Sequence, residues 1–118
     1  SVVGEIVKTS GFYDYNEKYI NNTVTLEIPA QISDEVSAKV REYSAKAFRA
    51  IDGSGLTRCD FFLTETNDIY INEVNTLPGF TQFSMYPLLW EKTGISYKDL
   101  VEELIQLALK RYKDRQNG

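Results

Sequence analysis

Arg58, Asp60, Glu73 and Asn75 are the residues whose types and spacing fit a chemical task. Asp60 and Glu73 bring carboxylates and Asn75 an amide oxygen, all hard oxygen donors of the kind that magnesium or manganese takes. No cysteine or histidine cluster competes, so zinc is not expected. Arg58, two residues before Asp60, can simply pair with it, and the bland reading is then a solvated acidic face. An arginine on the same face, and the turn residues Pro78-Gly79 just beyond Asn75, weigh toward a metal site. Both readings stay open on these residues alone.

A β-hairpin must position them. Leu56 to Leu63 and Ile69 to Asn75 are rich in β-branched and aromatic residues and flank the polar cluster Thr64-Glu65-Thr66-Asn67-Asp68. Alternation along a strand puts Arg58, Asp60 and Phe62 on one face, and Ile69, Ile71, Glu73 and Asn75 together on a face of the second strand. A turn centred near Thr66-Asn67 sets Asp60 opposite Glu73, with Cβ atoms about 5 Å apart. Carboxylates that close repel, and a cation would resolve the repulsion. Neutralising either one is therefore expected to spare or raise stability.

Around the hairpin, Val2 to Val7 reads as a strand broken by Gly4, and Val24, Leu26 and Ile28 as a half-buried strand ending at Pro29. Residues 9–23 have no repeat, which at more than about 12 residues marks a functional loop or a floppy one. Ser33 is placed to cap a helix whose first turn holds Asp34 and Glu35 and whose core face is Val36, Val40, Tyr43, Ala47, Phe48 and Ile51. Gly53 is expected at the C′ position that ends it. Pro78-Gly79 suits the centre of a type II turn. Ser84 is expected to cap a short helix with Pro87 in its first turn and Thr93-Gly94 at its end. Ser96 and Asp99 resemble a capping box opening a last helix, with Tyr97, Leu100, Val101, Leu104, Ile105, Ala108 and Tyr112 on its core face. Lys110, Arg111, Lys113 and Arg115 suit that helix's dipole and solvent. The order of elements predicts an α+β fold, an antiparallel β-sheet flanked by helices.

With 118 residues, 42% of them hydrophobic, the chain can build one domain with a real core. A net charge of −4 with interspersed signs argues against a nucleic-acid groove or an anionic membrane surface. One cysteine forms no internal disulfide, which fits a reducing cytoplasm. No charged-then-apolar leader and no apolar run near ~20 residues is present, so neither a signal peptide nor a membrane span is expected.

The run from Gly55 to Ser84, GLTRCDFFLTETNDIYINEVNTLPGFTQFS, resembles the carboxyl-terminal half of the ATP-grasp domain of D-alanine–D-alanine ligases, and the likeness extends over most of the chain. Its specific part is R-x-D, about a dozen residues, then E-x-N-T-x-P-G-F-T-x-x-S. The resemblance implies that residues 1–118 are the C-terminal portion of such a ligase domain, a fragment whose N-terminal and central domains are absent and which is inactive alone. It implies ATP-dependent ligation of two D-alanines through a D-alanyl phosphate, serving peptidoglycan synthesis in the cytoplasm. ATP and Mg2+ or Mn2+ would be the cofactors.

By the same resemblance, Asp60, Glu73 and Asn75 match the family's metal ligands. Arg58 and the Gly79 backbone N–H match the groups that stabilise the tetrahedral intermediate. Phe62 falls where it could contact adenine or be ordinary core. Ser84 and Met85 fall at substrate-binding positions, Ser84 matching the serine that binds the second substrate's carboxylate and Met85 following it. FYDYNEKY within residues 9–23 matches the mobile lid, with Lys18 at the nucleotide phosphates and Tyr19 at the substrate. A lid makes physical sense where a phosphorylated intermediate must be kept from water. The implied partners are D-alanine, ATP, the rest of the same ligase chain and a possible homodimer, with no nucleic acid and no membrane. Lys-Tyr in the lid leans toward D-alanine as second substrate. Ligases for D-lactate or D-serine remain the near alternative, and a non-catalytic metal-binding or interaction module the distant one.

Overall fold

The computed structural model describes residues 1–8 and 24–117. The expected lid with Lys18 and Tyr19 lies outside the described residues. Four strands and three helices follow in chain order: β1 (Glu5–Lys8), β2 (Val24–Glu27), α1 (Asp34–Ala50), β3 (Arg58–Leu63), β4 (Ile69–Asn75), α2 (Met85–Thr93) and α3 (Tyr97–Asn117). The α+β class with antiparallel strands is as expected. Among the described residues the strands form two separate two-stranded ladders, β1–β2 and β3–β4.

The base of the first ladder is strapped to α2. Val2 donates its N–H to Thr93 Oγ1 at 2.9 Å, and Ala30 donates to the Val3 carbonyl at 2.8 Å. Gly4 lies so close to α2 that a Cβ there would stand 2.7 Å from Leu89 Cδ2 and 3.1 Å from Met85 Sδ. A side chain at this position would have to push the ends of Leu89 and Met85 aside. Gly4 thus lets the strap lie down as much as it breaks the strand, and β1 starts one residue later.

Ser33 Oγ accepts from Val36 N–H at 3.2 Å and opens α1 as expected, with Asp34 and Glu35 complementing the positive end of the dipole. At the other end the expectation is corrected: Asp52, not Gly53, takes the left-handed C′ position, with φ 53°. Gly53 N–H then reaches Phe48 O at 2.8 Å and Asp52 N–H reaches Arg49 O at 3.1 Å, the paired bonds of a Schellman ending. Gly53 is still required, because a Cβ would lie 2.4 Å from the Phe48 ring. Ser33→Ala is expected to cost about 1 kcal/mol of stability, read by urea unfolding, with no change at the hairpin.

The core is small: Val36 from α1, Tyr86 and Pro87 from α2 and Leu100 from α3 are buried, as is Pro78. Helices α2 and α3 pack together, and α1 covers the β3–β4 hairpin. Burial of α3 fades along its length. Val101 and Leu104 are half-buried, but Ile105 and Tyr112, expected in the core, are 50% and 64% exposed. A helix of 21 residues is about 30 Å long, and its later turns run past the elements that cover its start.

Candidate functional site

The hairpin turn forms where the polar cluster places it. Thr64 N–H donates to Asp68 O and Asn67 N–H to Thr64 O, each at 3.0 Å, while Thr66 Oγ1 donates to Asp68 Oδ2 at 2.8 Å. Asn67 takes φ 64°, a conformation asparagine tolerates better than most residues. That turn pairs Asp60 with Glu73 and Arg58 with Asn75, the register expected.

One expectation about the faces is corrected. The ladder shifts between Asp60 and Phe61, whose partners are Glu73 and Ile71, so Asn72 is the extra residue of a β-bulge. Beyond it the alternation of β4 is reversed. Phe62 now opposes Tyr70, while Ile71 and Ile69 oppose Phe61 and Leu63. Ile69 and Ile71 therefore share a face with Phe61 and Leu63 and not with Glu73 and Asn75. The face that carries Arg58, Asp60, Glu73 and Asn75 continues through Phe62 and Tyr70.

On that face Arg58 grips Asp60 with two parallel bonds, Nε to Oδ1 and Nη2 to Oδ2, each 2.9 Å. Nη2 also lies 3.9 Å from Glu73 Oε1. The hydrogen bonds to Asp60 raise the guanidinium pKa, burial lowers it, and the charges of Asp60 and Glu73 add to the rise. Arg58 is thus bound to Asp60 and lies at the outer edge of ion-pair distance from Glu73. The pairing left open by the sequence is realised, so removing the Asp60 charge would take away the acceptor of both Arg58 bonds as well as relieve the facing carboxylates.

The same donors still fit a hard divalent ion. Each Asp60 oxygen accepts one bond from Arg58 and keeps a lone pair, Glu73 is mostly exposed, and Asn75 Oδ1 accepts from Leu77 N–H at 3.1 Å, its one hydrogen bond among the described residues. Among the described residues no three His, Cys, Asp or Glu side chains converge, so the donor set is two carboxylates and an amide.

Gly79, Ser84 and Met85 form a second group along the chain after β4. Gly79 does not take a left-handed φ, which excludes the type II turn. What favours glycine is proximity: a Cβ would lie 3.1 Å from Ser84 Oγ. Ser84 occupies the N-cap position of α2, but its hydroxyl makes no capping bond. The third helical residue is Pro87, which has no N–H for a cap to accept from. Ser84 Oγ instead accepts from Thr81 N–H at 3.0 Å and bonds Thr81 Oγ1 at 2.9 Å, closing the loop in front of the helix. Phe80 anchors that loop, its ring 5.8 Å from Tyr86 and 5.4 Å from Tyr97, whose hydroxyl donates to the Phe80 carbonyl. Met85 Sδ lies against Gly4, in the packing under α2.

Gly79→Ala is expected to cost about 1 kcal/mol through crowding of Ser84, and combined with Ser84→Ala, which itself loses the Thr81 bonds, it should cost less than the sum of the two single losses. Unfolding of the two single variants and the double variant measures this. Additive losses would mean the two positions do not press on each other.

The reading of the sequence missed Tyr70, which the bulge brings opposite Phe62, and Thr81 and Tyr97, which hold the Gly79–Ser84 loop. The threonine three residues before a serine at a helix start was the available signal for Thr81. A cleft of about 410 Å³ lies between Asp52–Gly55 and the end of α3, and none of the expected site residues lines it. Lys110, Arg111 and Arg115 line it beside the carboxyl end of α1, whose dipole they suit.

The family model described as D-ala D-ala ligase C-terminus matches residues 1–106. The D-alanine–D-alanine ligase of Enterococcus faecalis is 61% identical over 110 residues, covering 93% of this chain and 32% of that protein. The ligase of Bacillus cytotoxicus is 58% identical over 116 residues, covering 98% of this chain and 32% of its own length. Among solved structures, the D-alanine–D-alanine ligase from Bacillus anthracis complexed with ATP aligns with a TM-score of 0.78 at 30% identity, covering 95% of this chain and 36% of that one. The VanG D-Ala:D-Ser ligase from Enterococcus faecalis aligns with a TM-score of 0.78 at 39% identity, covering 90% and 31%. The chain therefore spans about a third of the length of the relatives it matches.

Proposed function

The chain belongs to the D-Ala–D-Ala ligase C-terminal family, and from that premise we propose that it is the C-terminal portion of an ATP-grasp ligase that joins two D-alanines for peptidoglycan synthesis in the cytoplasm. The observation that carries the proposal is Asp60 facing Glu73 across the hairpin with Arg58 clamped on Asp60 and Asn75 opposite Arg58. The Arg58–Asp60 pair by itself also fits a solvated acidic face; the Asn75 amide that completes the oxygen donor set on the same face, in a chain of this family, supports the metal reading.

The reaction has two charge problems. Phosphoryl transfer from ATP to the first D-alanine crowds negative charge on phosphate oxygens, and attack by the second amine concentrates it on the oxygen of a tetrahedral centre. Magnesium or manganese held by Asp60, Glu73 and Asn75 would supply positive charge for the first. Arg58 serves the second: Nη2 and Nε are engaged with Asp60, which fixes the plane of the guanidinium and leaves its remaining N–H groups for an oxyanion. The Gly79 N–H is a second donor, on a loop made rigid by the Ser84–Thr81 bonds and the Phe80 cluster. Ser84 presents its hydroxyl at the start of α2, where the dipole favours a substrate carboxylate, and Met85 braces that start from below. Lys18 and Tyr19 take the lid roles that the family resemblance gives them, at the nucleotide phosphates and the substrate. Among the described residues no helix is long and apolar enough to cross a membrane.

The rest of the ligase polypeptide supplies the remaining half of the nucleotide site, and the full enzyme is a candidate homodimer. The 118-residue chain alone is expected to give no turnover. D-serine as second substrate is the one rival with an observation behind it, the likeness to a D-Ala:D-Ser ligase; Lys18-Tyr19 leans to D-alanine.

The test is to incubate the full-length polypeptide with ATP, magnesium and D-alanine, with and without D-serine or D-lactate, following ADP and identifying products by mass. D-alanyl-D-alanine with stoichiometric ADP is expected. A mixed D-alanyl-D-serine product would move the specificity and keep the mechanism. Absence of ADP under every condition would overturn the proposal.

A further inference from the structure

The Ser84 hydroxyl is oriented by a single neighbour. Ser84 holds the N-cap position of α2 without capping it, since Pro87 has no N–H for it to accept from. Its oxygen turns instead to Thr81, accepting from the backbone N–H at 3.0 Å and sharing a hydrogen bond with Thr81 Oγ1 at 2.9 Å. Thr81 Oγ1 in turn accepts from Phe83 N–H at 3.3 Å, and the Thr81 carbonyl accepts from Ser84 N–H at 3.0 Å. Every polar group of an exposed threonine is thus tied into one turn.

A hydroxyl has one proton and two lone pairs, so the bond between the two side-chain oxygens has two polarities. If Ser84 donates, Phe83 N–H and Ser84 fill both lone pairs of Thr81 Oγ1, and Ser84 keeps a spare lone pair, which a carboxylate repels. If Thr81 donates, its N–H and O–H fill both lone pairs of Ser84 Oγ, and the serine proton alone is left to point outward. Only the second polarity makes Ser84 a donor. Resting on the reading of Ser84 as the group that takes the second substrate's carboxylate, we propose that Thr81 is a positioning residue that commits the Ser84 hydroxyl to donate. The bonds then run in one direction, from Phe83 N–H to Thr81 to Ser84 to the carboxylate, and each polarises the next.

In the full-length ligase, fitting dipeptide formation to two D-alanine sites separates the KM of the second substrate from that of the first. Thr81→Val keeps the shape of an exposed side chain and removes its hydroxyl. The KM for the second D-alanine is expected to rise about tenfold, the worth of one hydrogen bond, while the KM for ATP and for the first D-alanine stay unchanged. Thr81→Ser keeps the hydroxyl and should restore the second KM. In a Ser84→Ala background, Thr81→Val should add nothing to the second KM, because the oxygen it orients is gone. The proposal is overturned by an unchanged second KM in Thr81→Val beside a raised one in Ser84→Ala. Thr81→Ser as impaired as the valine variant, or effects of Thr81→Val and Ser84→Ala that add in full, would overturn it too. A lowered thermal midpoint with every kinetic constant impaired would make Thr81 a packing residue instead. An unchanged second KM in Ser84→Ala overturns the Ser84 reading and the proposal with it, whereas an unaltered protein that releases no ADP overturns the ligase reading itself.

Discussion

Glu73→Gln in the full-length ligase is expected to lower dipeptide formation by about a thousandfold or more while leaving the unfolding midpoint within about 0.5 kcal/mol of the parent. The two effects separate because Glu73 is 57% exposed on its side chain and lies 3.9 Å from Arg58, a contact worth little in water. Its charge matters chiefly when phosphates and a divalent ion are present. Asp60→Asn should be as damaging to activity but differs in stability. It removes the charged acceptor of both Arg58 bonds at a site only 26% exposed, and a loss of about 1–2 kcal/mol is expected. Magnesium titration of ADP release adds a second readout, and both variants should need far more metal for half-maximal rate. If Glu73→Gln retained a tenth of the parent rate with the same magnesium dependence, the hairpin would be a structural acidic face.

The strands, their turn and the Asp60–Glu73 register were legible because each rests on a local signal. Period-two apolar residues define the strands, and the Thr-rich polar cluster fixes the turn. The bulge was not legible. Ile-Tyr-Ile-Asn-Glu-Val-Asn reads as an unbroken strand, and an extra residue in a ladder leaves composition and spacing unchanged. The consequence was an assignment of Ile69 and Ile71 to the wrong face and no notice of Tyr70. The end of α1 shows the same limit on a smaller scale. Gly53 is the residue that permissive backbone geometry favours, but the Phe48 ring demands a glycine there and Asp52 takes the left-handed position one residue earlier. Ser84 is different, since its loss of the capping role was readable: Pro87 at the third helical position removes the N–H that a cap would use. The fading burial of α3 depends on what lies beside it, which no periodicity encodes.

Arg58→Ala is expected to fail twice, for different reasons. Catalysis should fall by about a hundred- to a thousandfold, the usual cost of removing one donor aimed at a developing oxyanion. The fold should also weaken, because Asp60 and Glu73 then face each other about 5 Å apart with nothing between them, a repulsion of at most about 3 kcal/mol at a near-surface dielectric. Arg58→Lys tests the geometry, since an ammonium restores the charge but cannot make the two parallel bonds to Asp60. It should recover most of the stability and little of the activity. The losses can be uncoupled further by adding Glu73→Gln to Arg58→Ala, which relieves the repulsion and should return stability without returning turnover. Millimolar magnesium should have the same stabilising effect on the single variant, an ion taking the place of the guanidinium between the carboxylates. If neither the second substitution nor the metal raised the unfolding midpoint, Asp60 and Glu73 would not be sharing one electrostatic site, and the assignment of that pair to a divalent ion would fall with it.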